Sequence, residues 1–266
     1  YVVGETTDDH RFVFEQKDGV RPIDLNMEDM FGKAPRTVMR DETVEEKYED
    51  VTYNAADIHQ YVEQVLQLEA VACKDWLTNK VDRSVTGKVA RQQCQGEIQL
   101  PLSDCGVVAL DYRGKAGIAT SIGHAPQAAM IDPAAGSVLS VAEALTNIVW
   151  APLAEGLDSV SLSANWMWPC KNPGEDARLY KAVEACSRFA CELGINIPTG
   201  KDSLSMTQKY GDEKVYSPGT VIISAGAEVS DVKKVVSPVL VRDARTAVYY
   251  IDFSFDALSL GGSAFA

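Results

Sequence analysis

The sequence has 266 residues, 46% of them hydrophobic, which is enough for a packed core and excludes a compositionally disordered chain. Asp and Glu number 38 against 25 Lys and Arg, a net charge of −13 that argues against a nucleic-acid or anionic-membrane surface. Any polyphosphate bound by such a chain needs a metal ion to offset the repulsion, and no apolar run approaches the roughly 18 residues of a membrane span.

Taken in chain order, residues 1–25 predict two short strands around the turn Lys17-Asp18-Gly19. Residues 26–53 are charged and irregular and read as a linker or surface excursion. Ile58, Tyr61, Val62, Val65, Leu68, Ala72 and Trp76 recur at helical spacing, which predicts a helix over 55–78 with Asn54 as N-cap. Residues 80–103 are polar and turn-rich, without a clear period. Strands are then predicted at 105–112, 117–122, 159–163, 220–229 and 247–251, and helices at 138–151 and 175–193, the latter capped by Gly194. The order β-β-α-β-α-β gives a mixed α/β domain with helices against one face of a sheet. Both ends read as cut: Tyr1-Val2-Val3-Gly4 looks like mid-strand, and Gly261-Gly262-Ser263-Ala264 like a turn with nothing after it.

The six cysteines are scattered, with no C-x-x-C pair, so redox and zinc motifs are absent and free thiols in a reducing cytosol are expected. His10, His59 and His124 lack metal-ligand spacing, and there is no G-x-S-x-G elbow. Thr199-Gly200-Lys201-Asp202-Ser203 fails the Walker pattern, since Asp202 stands where Ser or Thr is needed; a tight turn with Lys201 and Asp202 exposed is expected there. Trp166 and Trp168 read as packing.

Two constellations carry oxygen donors. Glu143 and Asn147 are four apart, so a helix places both on one face, and their donor type suits magnesium rather than zinc. The competing reading makes Ser140 and Glu143 a capping box, with Asn147 a surface residue. Asp104 directly precedes an apolar strand, as a metal or ligand contact does, or is a turn aspartate bonding its own backbone.

Several words of the sequence, in order, carry a more specific signal. They are Val85-Thr86-Gly87-Lys88-Val89-Ala90-Arg91, Gln99-Leu100-Pro101-Leu102-Ser103-Asp104-Cys105 and Gly123-His124-Ala125-Pro126. Asp132-Pro133-Ala134-Ala135-Gly136-Ser137, Ala142-Glu143-Ala144-Leu145-Thr146-Asn147 and Leu162-Ser163-Ala164-Asn165-Trp166-Met167-Trp168-Pro169 follow. The last are Pro198-Thr199-Gly200-Lys201-Asp202-Ser203 and Ser217-Pro218-Gly219-Thr220. The chain resembles the large multidomain form of phosphoribosylformylglycinamidine synthase along essentially its whole length.

The resemblance implies an α/β (α+β) fold like the N-terminal domain of aminoimidazole ribonucleotide synthetase: a mixed sheet with helices on one face. Residues 1–35 would be the tail of a preceding C-terminal-type domain and 36–88 a linker with an amphipathic helix. Residues 89–240 would be the second N-terminal-type synthetase domain, and 241–266 the start of the next. The family makes formylglycinamidine ribonucleotide from formylglycinamide ribonucleotide, glutamine and ATP in purine biosynthesis. The partners implied are ATP or ADP, formylglycinamide ribonucleotide, glutamine-derived ammonia and the remaining domains of one cytoplasmic polypeptide.

By the same resemblance, this copy holds an auxiliary nucleotide with Mg2+. Asp104, Glu143 and Asn147 match its metal ligands, Ser103 a nucleotide contact and Lys74 a lysine near the phosphates. A fourth metal-binding aspartate and the glutaminase cysteine and histidine fall outside the sequence, so no catalytic residue is expected here and the segment alone is expected to be inactive. The rival readings are an architectural domain with a structural nucleotide, and a relative such as aminoimidazole ribonucleotide synthetase or selenophosphate synthetase.

Overall fold

A computed structural model describes residues 1–74, 85–252, 255 and 259–266 of the chain, which divides into two units, residues 1–40 and 41–266. In the first unit, β1 (Arg11–Phe14) and β2 (Ile23–Asn26) pair antiparallel across the expected turn, where Gly19 has φ +80°. The short helix α1 (Met27–Phe31) follows, its first turn capped by the Asn26 side chain, which accepts from the Glu28 amide.

The second unit begins with α2 (Ile58–Gln67), reached through a turn that Asn54 caps by accepting from the Ala56 amide. The apolar spacing predicted a longer helix. It stops at Gln67 because Leu68 turns extended, with ψ 139°; residues 75–78, including Trp76, lie outside the described residues.

The remaining strands are β3 (Val89–Arg91), β4 (Cys94–Gln95), β5 (Leu100–Pro101), β6 (Cys105–Ala109) and β7 (Gly117–Gly123). After α3 (Pro126–Ile131) and α4 (Pro133–Ile148) come β8 (Val160–Met167), α5 (Glu175–Leu193) and β9 (Asn196–Ser203). The chain then forms the hairpin β10 (Thr207–Tyr210) and β11 (Glu213–Tyr216), and β12 (Thr220–Val229). Six strands form one sheet in the order β3-β6-β7-β12-β8-β9, antiparallel except for β8 and β9. That parallel pair needs a crossover, and α5 supplies it.

The sheet is buried on one face. Side chains on β7 alternate strictly between buried and exposed, the signature of a half-covered strand. Helix α4 packs on β7 and β12, and α5 packs beside it. Val107, Ala119, Val141, Ile148, Leu162, Ile223 and Val229 form the core between helices and sheet. This is the mixed α/β arrangement with helices on one face that the sequence predicted. Trp168 is buried, in keeping with a packing role, and all six cysteines are unpaired. No helix among the described residues is long and apolar enough to cross a membrane.

Three local expectations are corrected. The helix predicted from residue 138 starts at Pro133, because Asp132 caps it by accepting from the amides of Ala134 and Ala135. The segment after α5 is not a tight turn but the eight-residue strand β9, with Lys201 and Asp202 exposed along it. Residues 247–251 form no strand: Val248, Tyr249 and Tyr250 are fully out in solvent, and strand-favouring residues without a neighbour have no ladder to join.

Helix α5 starts at Gly174 without a side-chain cap of its own. Asp41 provides one, its carboxylate accepting from the amides of Gly174 at 3.2 Å, Asp176 at 3.0 Å and Ala177 at 3.3 Å. Desolvation pushes the Asp41 pKa up, but these amides and that of Glu42 outweigh it and hold the carboxyl below its ordinary value. A lowered folded-state pKa contributes stability above the unfolded value, near 3.9, and loses it as pH falls through the folded one. Asp41→Asn is therefore expected to lower the melting temperature at pH 7, with the gap to the parent closing as pH falls below about 4; thermal unfolding followed by circular dichroism across that range measures it.

Candidate functional site

The end of β7 and the middle of α4 meet at unusually short range. Gly123, the last residue of β7, lies so close to α4 that a β-carbon there would overlap the Ser140 carbonyl oxygen and the Ala144 amide nitrogen. Beside it, the buried Ser121 hydroxyl donates to the Ala144 carbonyl at 2.6 Å. The Asn147 amide donates to the Ile122 carbonyl at 3.0 Å, which leaves its Oδ1 to face elsewhere. The His124 amide donates to Glu143 Oε2 at 2.6 Å. Glu143 and Asn147 are thus both aimed by the end of one strand.

The same geometry disposes of the capping box. Ser140 sits in the second turn of α4, buried, and its hydroxyl donates to the Gly136 carbonyl at 2.9 Å. Glu143 is consequently mid-helix, and its carboxylate points to the sheet end.

Asp104 arrives from the neighbouring strand. Cys105 pairs with Ser121 across β6 and β7, so Asp104, one residue earlier, lies at the level of Ile122. Among the described residues no donor reaches its carboxylate, which removes the turn-aspartate reading. Desolvation, and then the negative charge of Glu143, raise its pKa above the ordinary value. The two carboxylates therefore feel one another, although they lie 39 positions apart in the sequence.

Ser103, Asp104, Cys105 and Asn147 line a cavity of about 280 Å3, closed on its apolar side by Leu102, Trp150, Val236 and Pro238. Glu143 stands beside this cavity rather than in its wall. The Ser103 hydroxyl donates to the Cys105 carbonyl at 3.1 Å. Lys74 does not line the cavity; its ammonium donates to the carbonyls of Glu69 and of Ala72, the latter at 2.8 Å. A larger cavity of about 470 Å3 lies against α2, bordered by Glu49, Asp50, Tyr61 and Phe265, and includes none of the candidate residues.

Among the described residues no three His, Cys, Asp or Glu side chains gather at one point. The donor set is two carboxylates and one amide oxygen, all hard ligands. Such a set fits magnesium, which usually takes one or two carboxylates and completes its shell with water or phosphate oxygens. The Asp104 pKa is raised first by burial and then by the Glu143 charge, so the two carboxylates lie within electrostatic reach of one another.

Sequence reasoning missed the apolar wall. Val236 and Pro238 come from the stretch after β12 and Trp150 from just beyond α4, and no periodicity marks any of them. It also missed the strand-end backbone groups that aim Glu143 and Asn147, which no side-chain pattern can report.

A family model described as FGAR-AT PurM_N-like domain matches residues 73–228. The chain belongs to this family. Human phosphoribosylformylglycinamidine synthase is 43% identical over 247 residues, covering 92% of this chain and 18% of the relative. A probable phosphoribosylformylglycinamidine synthase of Caenorhabditis elegans is 40% identical over 276 residues, covering 100% of this chain and 20% of the relative. The chain thus spans about a fifth of the length of the curated relatives it matches. Among solved structures, PurLQS from Thermotoga maritima superposes with a TM-score of 0.56 at 14% identity, over 84% of this chain and 32% of that one. At that identity the likeness speaks for the fold.

The raised Asp104 pKa gives a signed expectation for the cation-free protein. A folded-state pKa above the unfolded one stabilises below about 3.9 and loses that contribution as pH rises through the folded value. Asp104→Asn is expected to raise the melting temperature of the chain in chelator at pH 7 and to leave it unchanged near pH 3.5, read from thermal unfolding.

Proposed function

We propose that this chain is an internal part of the ATP-dependent synthetase region of a phosphoribosylformylglycinamidine synthase, and that it supplies magnesium and nucleotide ligands at an auxiliary site. The whole polypeptide would convert formylglycinamide ribonucleotide, glutamine and ATP to formylglycinamidine ribonucleotide, in keeping with the names of its 40–43% identical relatives. Residues 89–240 would be the second N-terminal-type synthetase domain, the polypeptide cytoplasmic, and the remaining domains of the same chain its partners. The observation that carries the reading is the meeting of Asp104, Glu143 and Asn147 at one sheet end beside a cavity with an apolar wall.

In this reading Asp104, Glu143 and the Asn147 carbonyl oxygen hold Mg2+. The ion supplies charge neutralisation to a polyphosphate that a chain of net charge −13 otherwise repels. Ser103 presents its hydroxyl to the nucleotide. The apolar wall of Leu102, Trp150, Val236 and Pro238 excludes water from one side of the cavity and suits a nucleobase. Lys74 is the cation of the phosphate end, and to serve there it exchanges the carbonyls of Glu69 and Ala72 for phosphate oxygens. No group of this chain is assigned a proton transfer or a nucleophile. A nucleotide held in this way stabilises the folded polypeptide by mass action, by about 2.7 kcal/mol at a hundredfold excess over Kd.

The test uses the full-length polypeptide with Mg2+ and ADP. Titration calorimetry and thermal unfolding are expected to show that Glu143→Ala binds magnesium-ADP more weakly and loses the nucleotide-dependent rise in melting temperature. Turnover per folded molecule should fall far less. Parental ADP affinity in Glu143→Ala sinks the reading. A collapse of turnover with stability intact moves the site from auxiliary to catalytic.

A further inference from the structure

The contact between β7 and α4 is built from small side chains. The inner face of β7 reads Gly117, Ala119, Ser121, Gly123, all four buried. Small residues let a helix come close, but they do not fix how it sits. Ser121 does more. Its side chain is 5% exposed, and its hydroxyl donates to the Ala144 carbonyl in the middle of α4. A mid-helix carbonyl is already engaged by the amide four residues on. The hydroxyl therefore adds a lateral tether and is not needed to complete the helix.

The tether's position matters. Ala144 follows Glu143 directly and lies three residues before Asn147. Ser121 is also the cross-strand partner of Cys105, the residue after Asp104. One residue thus links the two elements, its backbone paired with the strand that delivers the first carboxylate and its hydroxyl bonded to the helical turn that delivers the other two donors. Gly123 complements it. The methyl of an alanine there would meet the Ser140 carbonyl oxygen, the Ala144 amide nitrogen and, at 3.0 Å, Glu143 Cβ, and two of these three are backbone atoms that cannot rotate away.

We infer that Ser121 and Gly123 are positioning residues for the Glu143–Asn147 pair: the hydroxyl sets where α4 sits along β7, and the missing β-carbon sets how near it comes. The inference rests on the magnesium–nucleotide reading above. Neither residue touches the ligand. Removing the tether lets the 143–147 turn move relative to Asp104, and adding a methyl at 123 pushes it outward, so the three oxygens no longer converge. Supporting residues of this kind typically alter metal affinity by about 10–100-fold.

The experiment takes the full-length polypeptide with Mn2+ as a spectroscopic substitute, together with ADP. Ser121→Ala and Gly123→Ala are compared with Val160→Ala, which opens a core position on β8, 4% exposed, and serves as the control for general loss of stability. Ser121→Ala and Gly123→Ala are expected to raise the Kd for Mn2+–ADP about tenfold and to change the electron paramagnetic resonance lineshape of bound Mn2+. Val160→Ala is expected to lower the melting temperature while leaving affinity and lineshape close to parental. If Val160→Ala weakens binding as much as Ser121→Ala does, or if both β7 variants bind like the parent, the positioning role is overturned. Glu143→Ala separates the two claims. Parental affinity in that variant removes the metal site, and the positioning role with it. Lost affinity there, with Ser121→Ala and Gly123→Ala unaffected, removes the positioning role alone.

Discussion

Everything at this sheet end depends on how closely a helix lies against a strand. The contact between β7 and α4 admits no β-carbon at Gly123 and is pinned by a buried hydroxyl at Ser121. Because the approach is that tight, backbone groups of residues 122 and 124 reach side chains on the helix directly, and those side chains take their orientation from the strand rather than from solvent. Long flexible carboxylates and amides at a surface normally sample many rotamers, at an entropic cost when a ligand orders them. For Glu143 and Asn147 that ordering is completed by folding.

The charge distribution follows a similar logic. The chain is strongly acidic overall, yet Asp104 and Glu143 are brought near enough for the second to raise the pKa of the first. Like charges held at such a junction are unfavourable to one another, and burial of Asp104 adds to that cost. The hydrophobic half of the cavity, with Trp150, Val236 and Pro238, limits solvent on the other side.

Much of this was legible in the sequence, and the remainder was hidden for identifiable reasons. The strands predicted at 117–122 and 220–229 and the helices at 138–151 and 175–193 correspond to β7, β12, α4 and α5, and Gly194 ended α5 as expected, with φ +70°. The four-residue interval between Glu143 and Asn147 placed both on one helical face. That interval could not decide between a cap and a ligand pair. Asp132 removes the cap alone, by capping α4 eleven residues before Glu143 and leaving Ser140 inside the helix. The strand β9 was missed because Pro198, Gly200 and Asp202 are poor strand formers; pairing with β8 overrides that preference, and Gly200 lies close to the Ala164 carbonyl. The error at 247–251 was the reverse, good local preference without a neighbour. Grouping 104 with 143 and 147 as one set was readable only through resemblance, since its members come from separate turns of chain that only the folded sheet brings together.

The cap on α5 bears on the order in which this domain assembles. Asp41 lies 133 residues before Gly174, whose amide it accepts, so the first turn of a nineteen-residue helix is finished by a segment made long before it. During synthesis the capping carboxylate emerges early and waits; the helix can nucleate on its own hydrophobic face, but its leading amides stay hydrated until the upstream chain closes over them. Closing so long a loop comes late, because its entropy must be overcome before a few hydrogen bonds repay it. The start of α5 is therefore a place where the domain is sealed rather than seeded.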